Sequence, residues 1–160
     1  MADATPPWQT RPVTSRWADS PRASITRYRT VVGEDSLVQA LISLLEGEAL
    51  TAELGAVLAG PASRTVLEGR EGGPTGYWAR VWALRGLLYV FNGRATRHVV
   101  AATTDPAWRV REMALKVIAA HRLDDGLEAA ARCQDDDVAR VRTAASRALV
   151  RLVSAGTDRR

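Results

Sequence analysis

Three segments of the chain repeat one pattern at a fixed offset of 31 residues, and this repeat constrains the fold more than any other feature. Segments 77–87, 108–118 and 139–149 superpose, with small or branched apolar residues at matching positions. A second match aligns 94–103 with 125–134. A fixed period of about 20–50 residues is typical of stacked supersecondary units. Each unit here is predicted to be a helix, a turn and a second helix.

Apolar residues at helical spacing predict the buried face of each second helix. In the middle unit this face carries Val110, Ala114 and Ile118. The equivalent residues of the other units are Ala79, Ala83 and Leu87, and Val141, Ala145 and Leu149. A small residue at the central position allows neighbouring helices to approach closely, and the branched residues fill the space between them. Because one helix pair cannot bury this face alone, stacking of the units must supply the core.

The rest of the chain from residue 34 also shows helical periods separated by turn signals. Leu37, Leu41 and Leu44 have the spacing of an amphipathic helix, and glycine and proline mark most of the turns. We find no convincing strand and predict an all-α chain of about eight helices. The first predicted helix begins at Glu34 and is ended by Gly47; the others are 49–58, 62–68, 77–91, 94–103, 108–121, 124–134 and 137–154.

An aspartate lies in the turn of two units, and an arginine follows six residues later: Asp105 with Arg111, and Asp136 with Arg142. Together with the apolar positions, this pattern resembles the HEAT-repeat family, and the chain resembles a small bacterial member of it. The resemblance implies an α-solenoid of stacked helix pairs, an α-α superhelix, in which these four residues support the stacking of successive units. A charge-assisted hydrogen bond between aspartate and arginine would serve that purpose.

The first of the three units departs from this pattern. It keeps Arg80, but Pro74 occupies the position of the aspartate, and a glycine-rich turn precedes the helix. The resemblance therefore covers 77–152 closely and 34–70 loosely. Since this architecture mostly presents surfaces, the resemblance predicts a fold and not an activity.

The N-terminal segment differs in composition from the rest of the chain. It has four prolines, no helical period, and five arginines against two aspartates, which gives +3 of the net charge of +4. We predict a flexible basic arm over 1–30, a helical repeat domain over 31–156 and a disordered tail over 157–160. For Trp8 and Trp17 two interpretations are open: they dock on the folded body, or they contact a partner.

The face of the second helices opposite the apolar one is the predicted binding surface, on the concave side of the stack. Its residues are Trp78, Trp82, Arg85, Tyr89, Arg109, Met113, Lys116, Arg140, Arg147 and Arg151. One interpretation is a basic groove with aromatic anchors for an acidic protein segment or a nucleic acid. The other is an ordinary charged surface, with Trp78 and Trp82 packed under the N-terminal helices.

These features predict a non-enzymatic scaffold or adaptor that binds a protein partner; the alternative is a nucleic-acid-binding module that uses the arm and the basic residues. His98, His121 and Cys133 show neither metal-ligand spacing nor a nearby base, so we expect no catalytic residue, no metal and no cofactor. A lone cysteine and the lack of an apolar run of membrane length favour a cytoplasmic protein without a membrane partner. The oligomeric state is open.

Overall fold

The computed structural model describes residues 20–157, with side chains up to Ser154, and the chain forms nine α-helices within that range. They are α1 (Pro21–Val32), α2 (Glu34–Leu45), α3 (Ala52–Ala59), α4 (Ser63–Leu67), α5 (Tyr77–Leu87), α6 (Thr96–Ala102), α7 (Trp108–His121), α8 (Leu127–Arg132) and α9 (Ala139–Thr157). Short 3-10 turns precede α4, α6 and α8 and follow α8. Since no strand occurs in the described residues, the predicted all-α class is confirmed.

Helix α1 occupies a segment that the sequence predicted to be part of an unstructured arm. The Ser20 side chain caps this helix by accepting a backbone N–H of the first turn at 3.2 Å. Pro21 is tolerated in that turn because its missing N–H has no partner there. Ile25 is fully buried, which anchors the helix to the body of the protein. The prediction is therefore wrong for 21–30.

Other predictions about the two ends of the chain concern residues beyond the described range. Trp8 and Trp17 lie outside it, so the two interpretations of these residues stay predictions. At the other end, Thr157 is the last residue of α9, and 158–160 lie outside the described residues. Apart from the helices that include 21–30 and Thr157, the division into arm, repeat domain and tail stays a prediction.

The second helices of the three units begin at Tyr77, Trp108 and Ala139, which repeats the 31-residue spacing. Helix α7 packs against both α5 and α9, and α5 also packs against α2. Helix α6 packs against α7, and α8 packs against α9. Eight of the nine positions of the predicted apolar face are buried, and Leu149 is partly buried. The small residues predicted to allow close approach thus lie in the helix contacts.

Two glycines let the helices approach closely at positions where a side chain would collide. A Cβ at Gly86 of α5 would lie 2.8 Å from Leu41 Cδ1 of α2. A Cβ at Gly126, just before α8, would lie 2.7 Å from Ile118 Cγ2 of α7. Both distances are shorter than ordinary van der Waals contact, so a larger residue would require the Leu41 or Ile118 side chain to shift within the packed core.

The helix boundaries differ from the predicted ones mainly at capping residues. Helix α3 begins at Ala52 because the Thr51 side chain caps it. The predicted helix 124–134 is a 3-10 turn, the short α8 and a second 3-10 turn. Helix α9 begins at Ala139, just after a turn in which the Asp136 carboxylate accepts the backbone N–H of Val138 at 2.9 Å.

Candidate binding surface

Arginine and aspartate side chains join successive units through paired hydrogen bonds. Arg80 donates from Nε to Asp105 Oδ2 at 2.7 Å and from Nη2 to Oδ1 at 3.3 Å. Arg111 repeats this arrangement with Asp136, at 2.7 and 3.0 Å. Each aspartate also accepts a backbone N–H two residues later, at 2.8 and 2.9 Å. Each carboxylate therefore fixes the turn that leads into its own second helix and links that turn to the unit before.

The observed pairing corrects the one suggested by the six-residue spacing. The carboxylate partner of Arg111 belongs to the next unit, whereas Asp105 offers it only a backbone carbonyl. Nη1 of Arg111 donates to the carbonyls of Asp105 and Pro106 at 2.9 and 3.1 Å. Arg142 makes the same two bonds in its own turn, at 2.7 and 3.1 Å. The aspartate side chain is directed at its helix and at the previous arginine, so its own unit's arginine reaches only the backbone.

The pair of Arg111 and Asp136 is largely shielded from solvent. Their side chains are 17% and 10% exposed. The hydrogen bonds from Arg111 hold the pKa of Asp136 below its ordinary value, against the opposing effect of burial, and the Val138 N–H lowers it further. The same contact raises the pKa of Arg111. These residues hold the units together and are not available to bind a partner.

Guanidinium and indole groups alternate along the N-terminal ends of α5, α7 and α9. The Cζ of Arg109 lies 5.5 Å from the ring centroid of Trp78 and 4.4 Å from that of Trp108. The Cζ of Arg140 lies 5.4 Å from the Trp108 ring. These distances are those of cation–π contacts. Arg109 makes no ion pair with a described residue, so its charge is held in place but not neutralised.

A groove of about 1000 Å³ lies between α7 and α9. Basic residues of both helices and of the α7 C-terminus line it: Lys116, Arg122, Arg140, Arg147 and Arg151. Glu112 is the acidic residue among its described lining. The other lining residues include Ala119, Ala144 and Val150, and Val150 is 66% exposed. The groove therefore combines a strong excess of positive charge with small apolar side chains.

Glu112 neutralises only one part of the groove. Its side chain is 12% exposed and lies 3.0 Å from Lys116 Nζ and 3.3 Å from Arg140 Nη2. The three remaining basic residues of the groove, Arg122, Arg147 and Arg151, make no ion pair with any described residue. One carboxylate thus faces two cations around Glu112, and the rest of the groove has no acidic partner among the described residues.

The structure separates the residues of the predicted surface into several environments. Lys116, Arg140, Arg147 and Arg151 line the groove, and Arg109 stacks on Trp108 next to Arg140. The other members of the predicted set do not line the groove; they are Trp78, Trp82, Arg85, Tyr89 and Met113. Among these, Tyr89 is 36% exposed and Met113 is partly buried against the core.

Trp82 is not a surface residue, contrary to the predicted set. It is 5% exposed, belongs to the hydrophobic core and stacks on Trp78 with ring centroids 5.8 Å apart. Helix α5 is contacted by α1 and α3 in addition to α2 and α7, and seven of its eleven residues are buried, against five of the fourteen residues of α7. Trp78 is partly buried, and its Nε1 has no hydrogen-bond partner.

Two residues that contribute to the surface, Arg122 and Trp108, were not predicted from the sequence. Arg122 follows the last residue of α7 in a left-handed conformation with φ of 50°, so helical periodicity could not assign it to a face. Trp108 is the first residue of α7, and its ring faces two arginines. In the repeat Trp108 is equivalent to Tyr77 and Ala139, and it directly precedes Arg109, which the sequence placed on the predicted surface.

Cys133 and His121, two residues of chemically reactive types, have structural roles in the fold. Cys133 is buried in the hydrophobic core, and burial raises the pKa of its thiol. The imidazole Nε2 of His121 lies 2.7 Å from the carbonyl oxygen of Leu87, and its ring stacks on Phe91 at 4.3 Å. His121 therefore joins the end of α7 to the end of α5.

Comparison with known proteins adds no assignment for this surface. Searched against models of protein families, curated proteins and solved structures, the chain gives no match. Among the described residues, no three histidine, cysteine, aspartate or glutamate side chains converge as a metal site requires. None of the described helices has both the length and the apolar character needed to cross a bilayer.

Proposed function

We propose that the chain is a HEAT-like α-solenoid that acts as a non-enzymatic scaffold and binds an acidic segment of a partner protein between α7 and α9. The observation that carries this proposal is the groove lined by five basic residues and one already paired glutamate. The solenoid architecture is supported by the 31-residue spacing of the second helices and by the repeated arginine–aspartate bonds between units.

The lining of the groove suits a polypeptide segment with carboxylate side chains. Guanidinium groups bind carboxylates through two parallel hydrogen bonds, and Arg147 and Arg151 lie one helical turn apart on the same wall. Alanines on both helices leave room for a ligand backbone, and the exposed Val150 offers a contact for an apolar neighbour. A volume of about 1000 Å³ accommodates several side chains.

Nucleic acid is the second candidate partner, and the row of cations along the second helices favours it. Arg109 extends this row beyond the groove, next to Arg140. Single-stranded nucleic acids usually bind to aromatic side chains that stack on the bases. No aromatic residue lines the groove within the described part of the chain, and arginines cover Trp108. These contacts favour the protein partner.

Fluorescence anisotropy with two probes separates the candidates. One probe is a labelled peptide of alternating glutamate and leucine, and the other is a labelled duplex DNA of random sequence. We expect the peptide to bind the full chain and to lose about tenfold in affinity with Arg147→Glu. Arg64→Glu is the matched control, because Arg64 is exposed on α4 outside the groove.

Two results would overturn the proposal. One is a peptide that does not bind, or that binds Arg147→Glu as well as it binds the unaltered chain. The other is DNA that binds more tightly than the peptide and whose affinity falls steeply between low and physiological salt. That result would establish the nucleic-acid alternative.

A further inference from the structure

The part of the groove away from Glu112 presents three arginines to one cavity. Arg147 and Arg151 extend from the same side of α9, and Arg122 extends from the end of α7 on the opposite wall. None of the three makes an ion pair with a described residue, and Glu112 is already shared by Lys116 and Arg140. Like charges that share one cavity repel each other, so this region gains most from a ligand with more than one negative charge.

We infer that this arginine cluster, defined as Arg122, Arg147 and Arg151, recognises a phosphorylated serine or threonine within the partner segment. The inference rests on the proposed function and names the group that anchors the segment. A phosphoryl group carries about −1.5 to −2 charges near neutral pH and offers three acceptor oxygens, whereas a carboxylate offers one charge and two oxygens. Three guanidinium groups therefore match a phosphoryl group better than a single glutamate or aspartate.

The residue type supports the same ligand. The three positions hold arginine, whose planar group donates paired hydrogen bonds to phosphate oxygens. Lys116, the lysine of the groove, is instead paired with Glu112 at 3.0 Å. Recognition by clustered arginines is one of the recurring ways in which proteins bind phosphorylated segments.

The same charge argument favours a phosphorylated protein over a nucleic acid. A phosphodiester of DNA or RNA carries one negative charge per phosphate, spread along the backbone. A phosphorylated side chain is a monoester, which places nearly two charges at one point. The arginine cluster lines a single groove, and Glu112 interrupts the basic row by pairing with Lys116 and Arg140.

The test compares three labelled peptides that differ at one central residue: serine, phosphoserine or glutamate. Anisotropy is measured with the full chain, with the double variant Arg147→Ala and Arg151→Ala, and with Arg64→Ala as the control for loss of an exposed arginine. We expect the phosphoserine peptide to bind the unaltered chain at least about tenfold more tightly than the glutamate peptide. This advantage should disappear in the double variant and persist in Arg64→Ala. Circular dichroism of each variant checks that the helices are intact.

The outcomes distinguish this inference from the proposed function. Equal affinities of the phosphoserine and glutamate peptides would overturn phosphate recognition and leave acidic-segment binding in place. Failure of all three peptides to bind would overturn both. An advantage for phosphoserine that survives in the double variant would place phosphate recognition outside the arginine cluster and overturn the inference. Displacement of the phosphoserine peptide by a single-stranded oligonucleotide at equal phosphate concentration would overturn it in favour of a nucleic acid.

Discussion

The Nε atom of Arg111 lies 2.7 Å from Oδ2 of Asp136, an aspartate of the following unit. The same aspartate accepts the Val138 N–H in the turn just before α9, so one carboxylate fixes both that turn and its position against α7. This contact holds in place the two helices that form the groove. The groove's shape therefore depends on an interaction that no ligand would touch.

Arg111→Ala should destabilise the protein far more than Arg142→Ala. Arg111 binds a carboxylate and two carbonyls, whereas Arg142 binds only the two carbonyls among the described residues. We expect losses in the free energy of unfolding of about 2–3 kcal/mol for Arg111→Ala and about 0.5–1 kcal/mol for Arg142→Ala. Urea unfolding followed by circular dichroism measures both. Equal losses would show that the link between units contributes little.

Lowering the pH should reduce the free energy of unfolding, in part through protonation of Asp136. Its pKa is lowered in the folded state, so the unfolded chain binds the proton more readily. The stabilisation is full above the ordinary pKa of an aspartate and is lost as the pH falls through the lowered value. The difference in unfolding free energy between the unaltered chain and Asp136→Asn should therefore shrink as the pH falls from 7 towards 3. A difference that stays constant over this range would contradict the assignment.

Ala114→Leu should disturb the contact between the second helices. Ala114 is fully buried in α7, and added methylene groups must displace its neighbours. We expect a loss of about 1–3 kcal/mol in the free energy of unfolding. Ala131→Leu is the control, because Ala131 is exposed on α8 and should tolerate the change. A thermal melt of the two variants compares them directly.

Charge reversal at Arg85 separates the groove from the wider face that the sequence predicted. Arg85 shares the predicted face with Lys116 and Arg147, but it does not line the groove. Arg85→Glu should leave binding of the glutamate–leucine peptide within about twofold of the unaltered chain, because its charge lies outside the contact. An effect as large as that of Arg147→Glu would extend the binding surface across α5.

The all-α class and the positions of the second helices could be predicted because their apolar residues recur at fixed intervals. Ala83, Ala114 and Ala145 occupy equivalent places and are all fully buried. Helix α1 could not be predicted in this way, since it is a single helix anchored largely by Ile25 and lies among prolines and arginines.

The binding surface was predictable only in part, because its residues meet through tertiary contacts. Helical periodicity placed Lys116 and Arg147 on one face, and both line the groove. The same argument placed Trp82 on that face, because it takes no account of the helices that cover α5. The carboxylate partner of Arg111 could not be predicted either, because 25 residues separate Arg111 from Asp136 and the local spacing indicates Asp105 instead.

The most direct test of the account is an amide NMR titration of the isotope-labelled full chain with the unlabelled glutamate–leucine peptide. Binding in the groove predicts that the shifted signals cluster on α7 and α9, around Lys116, Arg147 and Arg151. It also predicts that signals of α3 and α4 stay in place. Shifts that centre on α1 to α4, or the absence of any shift at millimolar peptide, would contradict the proposed binding site.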